Sequence, residues 1–259
     1  MKSNFLRIFT LFLIPICFAG FIACSDEETA AKPTIISAAG DIQASMDEFR
    51  NLLGPNNGNA SGSQTTGRRE INWDAVPDSA AVPNGYIGDF FNLPTNGLTR
   101  GIEFTTPGMG LIVSADSNNP TNTPMSFGNI NPTYTTTFPP FSGERIFSPL
   151  GSNIADIRFY VPGTDVPAVV RGFGAVYIDV DRDENAAFEF FDINENSLGV
   201  YGTKALNQGY VFLAILFNSP IIHHIRIEYG NSALGPDDGG AIDVSVMDDF
   251  IFAEPQEAE

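Results

Sequence analysis

Cysteine, histidine, tryptophan and positive charge are all scarce in this 259-residue chain, which has two Cys, two His, one Trp and Lys+Arg 13 against Asp+Glu 31. Each scarcity excludes something. Two cysteines, Cys17 and Cys24, cannot staple a small secreted domain. The two histidines, His223 and His224, are adjacent, so on a strand they face opposite sides and cannot jointly hold a metal or form a proton relay. A formal net charge of −18 repels phosphate backbones and anionic lipid, which excludes nucleic acid as an electrostatic partner. There is no G-x-S-x-G elbow, no H-E-x-x-H pair, no phosphate-binding glycine loop and no catalytic thiol motif. What is there is 43% hydrophobic and 17% charged, the composition of a folded protein and not of a disordered one.

The N-terminus supplies the first positive signal. Lys2 and Arg7 precede an apolar run over residues 9–22 that is too short to span a bilayer comfortably, as expected of a secretory signal peptide at 1–23. The run ends at Phe21-Ile22-Ala23-Cys24, which resembles a bacterial lipobox in which Cys24 is lipidated and becomes the new N-terminus; Phe21 stands where Leu is usual. Cys17 leaves with the signal, so Cys24 is the one cysteine remaining and an acylated thiol accounts for it. Removal of Lys2 and Arg7 leaves 11 cationic residues against 31 acids, net −20. Ser25-Asp26-Glu27-Glu28 follows directly and resembles the export signal of Bacteroidetes-type surface lipoproteins; its other reading is a solvated acidic tether. The expected location is the cell outer membrane, reached through a lipid anchor.

Residues 24–40 read as a tether, polar and without period. Over 41–54, Ile42, Met46, Phe49 and Leu53 recur at helical spacing, with Asp41 placed to cap and Gly54-Pro55 to stop, which predicts a short amphipathic helix. Residues 55–67 read as a flexible polar loop. Beyond Arg68 the helical period is gone. Short Val, Ile, Phe and Tyr segments alternate with Gly, Pro and Asn clusters, which predicts a single all-β sandwich over 68–254 and an acidic tail at 255–259. Strands are expected near 69–73, 87–91, 100–106, 109–115, 155–161, 168–180, 186–191, 198–202, 209–217, 221–229 and 241–252, with a hairpin turn at Asp192–Asn196. The segment 118–148, rich in Pro, Thr, Asn and aromatics, reads as a cover over the sandwich or a functional loop.

Three stretches, GRREINWDAVPD at 67–78, GFGAVYIDVDRDENAAFEFFD at 172–192 and GPDDGGAIDVSVMDDFIF at 235–252, resemble an uncharacterised family of secreted bacterial proteins with a galactose-binding-like jelly-roll sandwich. The resemblance implies that architecture and no activity. It also implies a structural Ca²⁺ held by the terminal-strand Asp248 and a first-strand residue near Glu70. Alternation along the last strand, Ile242, Val244, Val246, then Asp248, Phe250 and Phe252, carries Asp248 inward, where a charge must be paired, hydrogen-bonded or metal-bound. Its other reading is a cap on backbone amides or a pair with Arg68 or Arg69.

Acid is concentrated in residues 179–259, which hold 16 Asp and Glu. Asp179, Asp181 and Asp183 have the spacing that opens an EF-hand loop, but Glu184 stands where that loop needs Gly and Phe190 where it needs its bidentate Glu. An EF-hand is excluded, and a single calcium held by these carboxylates stays open. Trp73, Tyr134 and Tyr229 are candidate stacking platforms for a sugar, with core packing as the other reading. The chain therefore reads as a non-catalytic, calcium-stabilised glycan-binding or adhesion module at the cell envelope. The runner-up is a structural envelope protein without a small-molecule ligand, and the third reading is a carboxylate-based glycan hydrolase.

Overall fold

The computed structural model describes residues 32–258. The signal peptide, Cys24 and the run Ser25, Asp26, Glu27 and Glu28 lie outside the described residues. In chain order the elements are β1 (Thr34–Ala39), α1 (Gln43–Leu53), β2 (Arg68–Ile71), β3 (Ile102–Thr105), β4 (Gly110–Val113), α2 (Tyr134–Thr137), β5 (Phe147–Leu150), β6 (Ile154–Phe159), β7 (Ala168–Val169), β8 (Gly172–Val180), β9 (Ala186–Phe191), β10 (Ser197–Gly202), β11 (Leu206–Leu216), β12 (His224–Tyr229), β13 (Val246–Ala253) and β14 (Gln256–Glu257). No helix among the described residues is long and apolar enough to cross a membrane.

The strands form an all-β sandwich. One sheet runs β1-β11-β8-β13-β5-β4, with β2 also on β13; the other runs β10-β9-β12-β6-β3. The ladders between strands are antiparallel, and from β8 to β13 the chain passes back and forth between the sheets, the connectivity of a jelly roll. The core between them is aromatic. Trp73 stacks on Phe147 at 4.1 Å between ring centres and meets Phe104 and Phe250, while Phe173 and Tyr177 of one sheet meet Phe188 of the other. Close approach of β8 to β11 depends on Gly174, where a Cβ would lie 2.5 Å from Ala214.

Helix α1 lays the expected stripe of Met46, Phe49 and Leu53 on the outer face of the larger sheet, where Phe49 meets Phe212 at 6.0 Å. Asp41 does not cap it; Ile42 occupies the cap position without a side-chain hydrogen bond. The segment 118–148 is a cover whose own Phe127, Tyr134 and Phe138 are fully buried, and its end enters β5.

Several boundaries are corrected. The end of the expected tether is strand β1, paired with β11 from Thr34↔Leu216 to Ala39↔Val211. Residues 87–91 form no strand, because the chain turns there: the Phe90 amide donates to the Ile87 carbonyl at 3.2 Å and the Asn92 amide to the Asp89 carbonyl at 2.7 Å. The loop 55–67 is tied down. Buried Arg69 pairs with Glu254 at 2.6 Å and donates to the carbonyls of Gly58, Gly62 and Thr99, while Glu254 also accepts from Asn57 and the Gln64 amide. The expected acidic tail contains β14, which pairs with β7.

The last strand departs most from simple alternation. Val246 pairs Ile178 and Asp248 pairs Val176, but Phe250 pairs Ala175, so Asp249 is an extra residue and the register shifts there. This β-bulge resets the faces. Phe250 and Phe252 enter the inter-sheet core, against Trp73 and Phe159, while Asp248 turns to the outer face beneath the covering segment. The expectation that Asp248 shares a face with Phe250 is overturned by one inserted residue.

Candidate binding cleft

The bulge has a chemical product. Asp249, with φ 27°, is displaced from the ladder toward α1 and β2, and a cleft of about 400 Å³ opens there, lined by Arg50, Asn56, Glu70, Asn72, Arg100, Ser142 and Asp249 among others. Glu70 accepts from Arg50 Nη2 at 3.0 Å and from Arg68 Nε at 2.6 Å. Asp249 reaches the same Arg50 nitrogen at 3.7 Å and accepts from the Ser142 hydroxyl. Both carboxylates thus converge on one guanidinium. Burial raises the Asp249 carboxyl above its ordinary range, against the Ser142 hydrogen bond and the Arg50 charge.

Arg100 closes the far side. Its Nη1 donates to the Glu70 carbonyl at 2.6 Å, its Nε donates to Asn59 at 3.0 Å, and its plane lies 4.9 Å over Phe91. Burial, reinforced by the neighbouring charge of Arg69, lowers the Arg100 guanidinium to about 10, still cationic at neutral pH. Two cations and two acids leave the cleft close to electroneutral in a strongly acidic protein. Its planar forks and amides present donors and acceptors together, and no ring lines it.

Of the residues singled out from sequence, Glu70 lines the cleft and the others fall elsewhere. Trp73 and Tyr134 are fully buried and Tyr229 nearly so; Trp73 is core, and the Tyr134 hydroxyl donates to the Gly235 carbonyl at 2.6 Å. None of the three presents a face to a ligand, because each is needed to fill space between layers. Asp248 Oδ2 accepts from the amides of Phe141 at 2.8 Å and Ser142 at 3.0 Å, and Oδ1 accepts from the Asp249 amide at 2.8 Å. Glu70 belongs to arginines. A calcium between Glu70 and Asp248 does not fit, since N–H donors and guanidinium groups already face these oxygens.

Asp179, Asp181 and Asp183 do not converge either. Each takes a different partner around the start of β11: the Gln208 amide at 2.6 Å, the Asn207 side chain, and the Ala205 amide at 2.7 Å. Among the described residues no three His, Cys, Asp or Glu side chains are grouped to hold a metal. His223 and His224 are both buried: His223 Nδ1 meets the Ala168 carbonyl, and His224 bridges Glu195 and Asp156 at 2.8 and 2.9 Å. The cleft residues Arg50, Arg100, Ser142 and Asp249 escaped the sequence reading. The one signal for them was a second acid beside Asp248 inside an apolar strand, the composition of a bulge.

No family model matches the chain, and no curated protein matches it. Among solved structures, the enzymatically active domain of tailspike protein 4 from bacteriophage CBA120 aligns over 59% of this chain and 19% of its own, at 12% identity and a TM-score of 0.29. This chain therefore corresponds to about a fifth of that protein. So loose a superposition assigns neither fold nor chemistry, and the site rests on its own geometry.

Proposed function

We propose that this protein is a lipid-anchored lipoprotein of the outer membrane, carried there by the signal ending at Cys24, whose sandwich is a non-catalytic binding or adhesion module for glycan. The cleft between α1, β2 and the Asp249 bulge carries the reading. Vicinal hydroxyls of a sugar present paired donors and acceptors at the spacing that Arg, Asn and carboxylate forks match, and a near-neutral cleft admits an uncharged ligand without a desolvated excess charge. Binding here is by hydrogen bonding and not by ring stacking. Glu70 is occupied by two arginines, which favours a binding over a catalytic role for it.

A glycan-array screen followed by calorimetry tests the proposal. The expected result is a saccharide ligand whose affinity falls at least tenfold in Asn72→Ala and in Ser142→Ala, both of which leave the core untouched. Retention of full affinity in both variants would move the site elsewhere. Burial of all three candidate platform rings favours a second reading, a structural envelope protein without small-molecule ligand, and binding to no glycan would put it ahead. Convergence of Glu70 and the raised Asp249 on one nitrogen is the observation behind the hydrolase reading, which predicts release of reducing ends from the bound glycan.

A further inference from the structure

Further along β8, past the paired residues Ile178 and Val246, lies a group that the cleft does not use. Asp179 is 1% exposed, and its Oδ2 is a fully buried oxygen without a hydrogen-bond partner. It is the one carboxylate among the described residues in that condition. The other buried acids are satisfied: Asp248 by three amides, Asp249 by the Ser142 hydroxyl, Glu254 by Arg69, and Asp243 by the Asp181 amide and Asn185. Asp179 instead neighbours Asp238, on the loop between β12 and β13 that the Asp181 amide, donating to Asp243, ties to the end of β8. Asp181 adds a third negative charge to this neighbourhood.

Two neighbouring carboxylates need something positive between them. No Lys or Arg supplies it. Among the described residues no ion pair includes Asp179, Asp181 or Asp238, although Arg182 is close enough to donate to the Gly240 carbonyl on the same loop. On the same loop the carbonyls of Gly235 and Asp237 accept from the Tyr134 hydroxyl at 2.6 and 3.5 Å. Asp238 Oδ1 itself accepts from the Val244 amide at 3.2 Å.

We infer that Asp179 and Asp238 form a divalent-cation site that takes calcium and ties the 230–245 loop to the end of β8. Two carboxylates alone do not complete a coordination shell. Calcium takes six to eight oxygens in adaptable geometry and accepts backbone carbonyls and water among them, whereas magnesium demands a near-ideal octahedron. With so few charged ligands the affinity falls in the range of extracellular modules, on the order of 10⁻⁴–10⁻³ M. The site is separate from the glycan cleft, so either can fail without the other.

Thermal melting of the full chain in chelator and in about 10 mM calcium is the test. The wild type gains roughly 3–10 °C, as binding to the native state alone requires at that affinity. Sodium chloride at equal ionic strength and equimolar magnesium control for simple screening of the acidic surface, and each gives less than half that gain. Asp179→Asn supplies an amide that donates to Asp238; it melts higher than the wild type in chelator and shows no calcium increment. Asp183→Asn, whose carboxylate lies outside the pair, keeps the increment. Calorimetry finds one calcium site in the wild type and none in Asp179→Asn. A wild type indifferent to calcium overturns the inference and leaves a shared proton between the carboxyls. So does an equal gain in Asp179→Asn, or a gain matched by salt or magnesium.

Discussion

The two sheets of the sandwich carry the same kinds of residue in opposite circumstances. In the five-stranded sheet, β6 alternates buried and half-buried positions and β12 alternates Ile225, Ile227 and Tyr229 inside with Arg226 and Glu228 in water. In the seven-stranded sheet, every residue of β8 and β13 is buried. The cause is the cover: α1 and the 118–148 segment occupy the outer face of the larger sheet, while the smaller sheet keeps a wet face. A strand covered on both sides loses the polar half of its alternation, and polar residues that persist there, such as Asp248, must work as ties.

The largest effects follow from stripping the cover. Phe49→Ala on α1 is expected to cost about 3–5 kcal/mol, the range for a fully buried Phe, while Val200→Ala on the five-stranded sheet stays within about 0.5 kcal/mol. Urea unfolding of both variants measures the contrast, and similar costs would break it. Asp248→Ala comes next. It strands the amides of Phe141, Ser142 and Asp249, at about 3 kcal/mol in all, and hydrogen exchange should rise over the covering segment first.

The smallest effect is in pH, and its sign differs between the sheets. On the wet face, burial pushes Asp156 upward, but hydrogen bonds from His224 and Arg226 outweigh it and hold the carboxyl below its ordinary value. That stabilisation is present above the unfolded value near 4 and is lost as pH falls through the lowered folded value. In the cleft, burial raises Asp249. Its native state holds the proton longer, so stability declines as pH climbs from about 4 through the raised value. Asp156→Asn should flatten the acid limb of the stability profile and Asp249→Asn the limb above it; identical profiles in both variants would show that neither carboxyl governs its limb.

The legibility of the sequence follows the same division. The helix stripe, the strands of the wet sheet and the Asp192–Asn196 turn could be read because water on one side enforces a period. Strand β1 was hidden because TIISAA merges into the tether without a turn signal, and β5 because Pro149 interrupts FSPL. The inward turn of Asp248 was legible from position alone, although not the face it takes, and the burial of Asp179 was not. Their partners were not, since Phe141, Ser142 and Asp238 lie far along the chain and meet them through loops that carry no period. The cleft depended on one bulged residue, and a register shift leaves no mark in the order of residues beyond an acid out of place.

Strand β1 has a mechanical consequence. It borders its sheet on one side, and six consecutive residue pairs join it to β11. Any pull on the chain ahead of Thr34 enters the domain through this strand. Directed along the strand, such a load falls on the six pairs together in shear and they must rupture at once; directed across it, the pairs peel one after another. A domain attached through this edge therefore resists drag far better in the first direction than in the second, and force spectroscopy along the two axes would separate them.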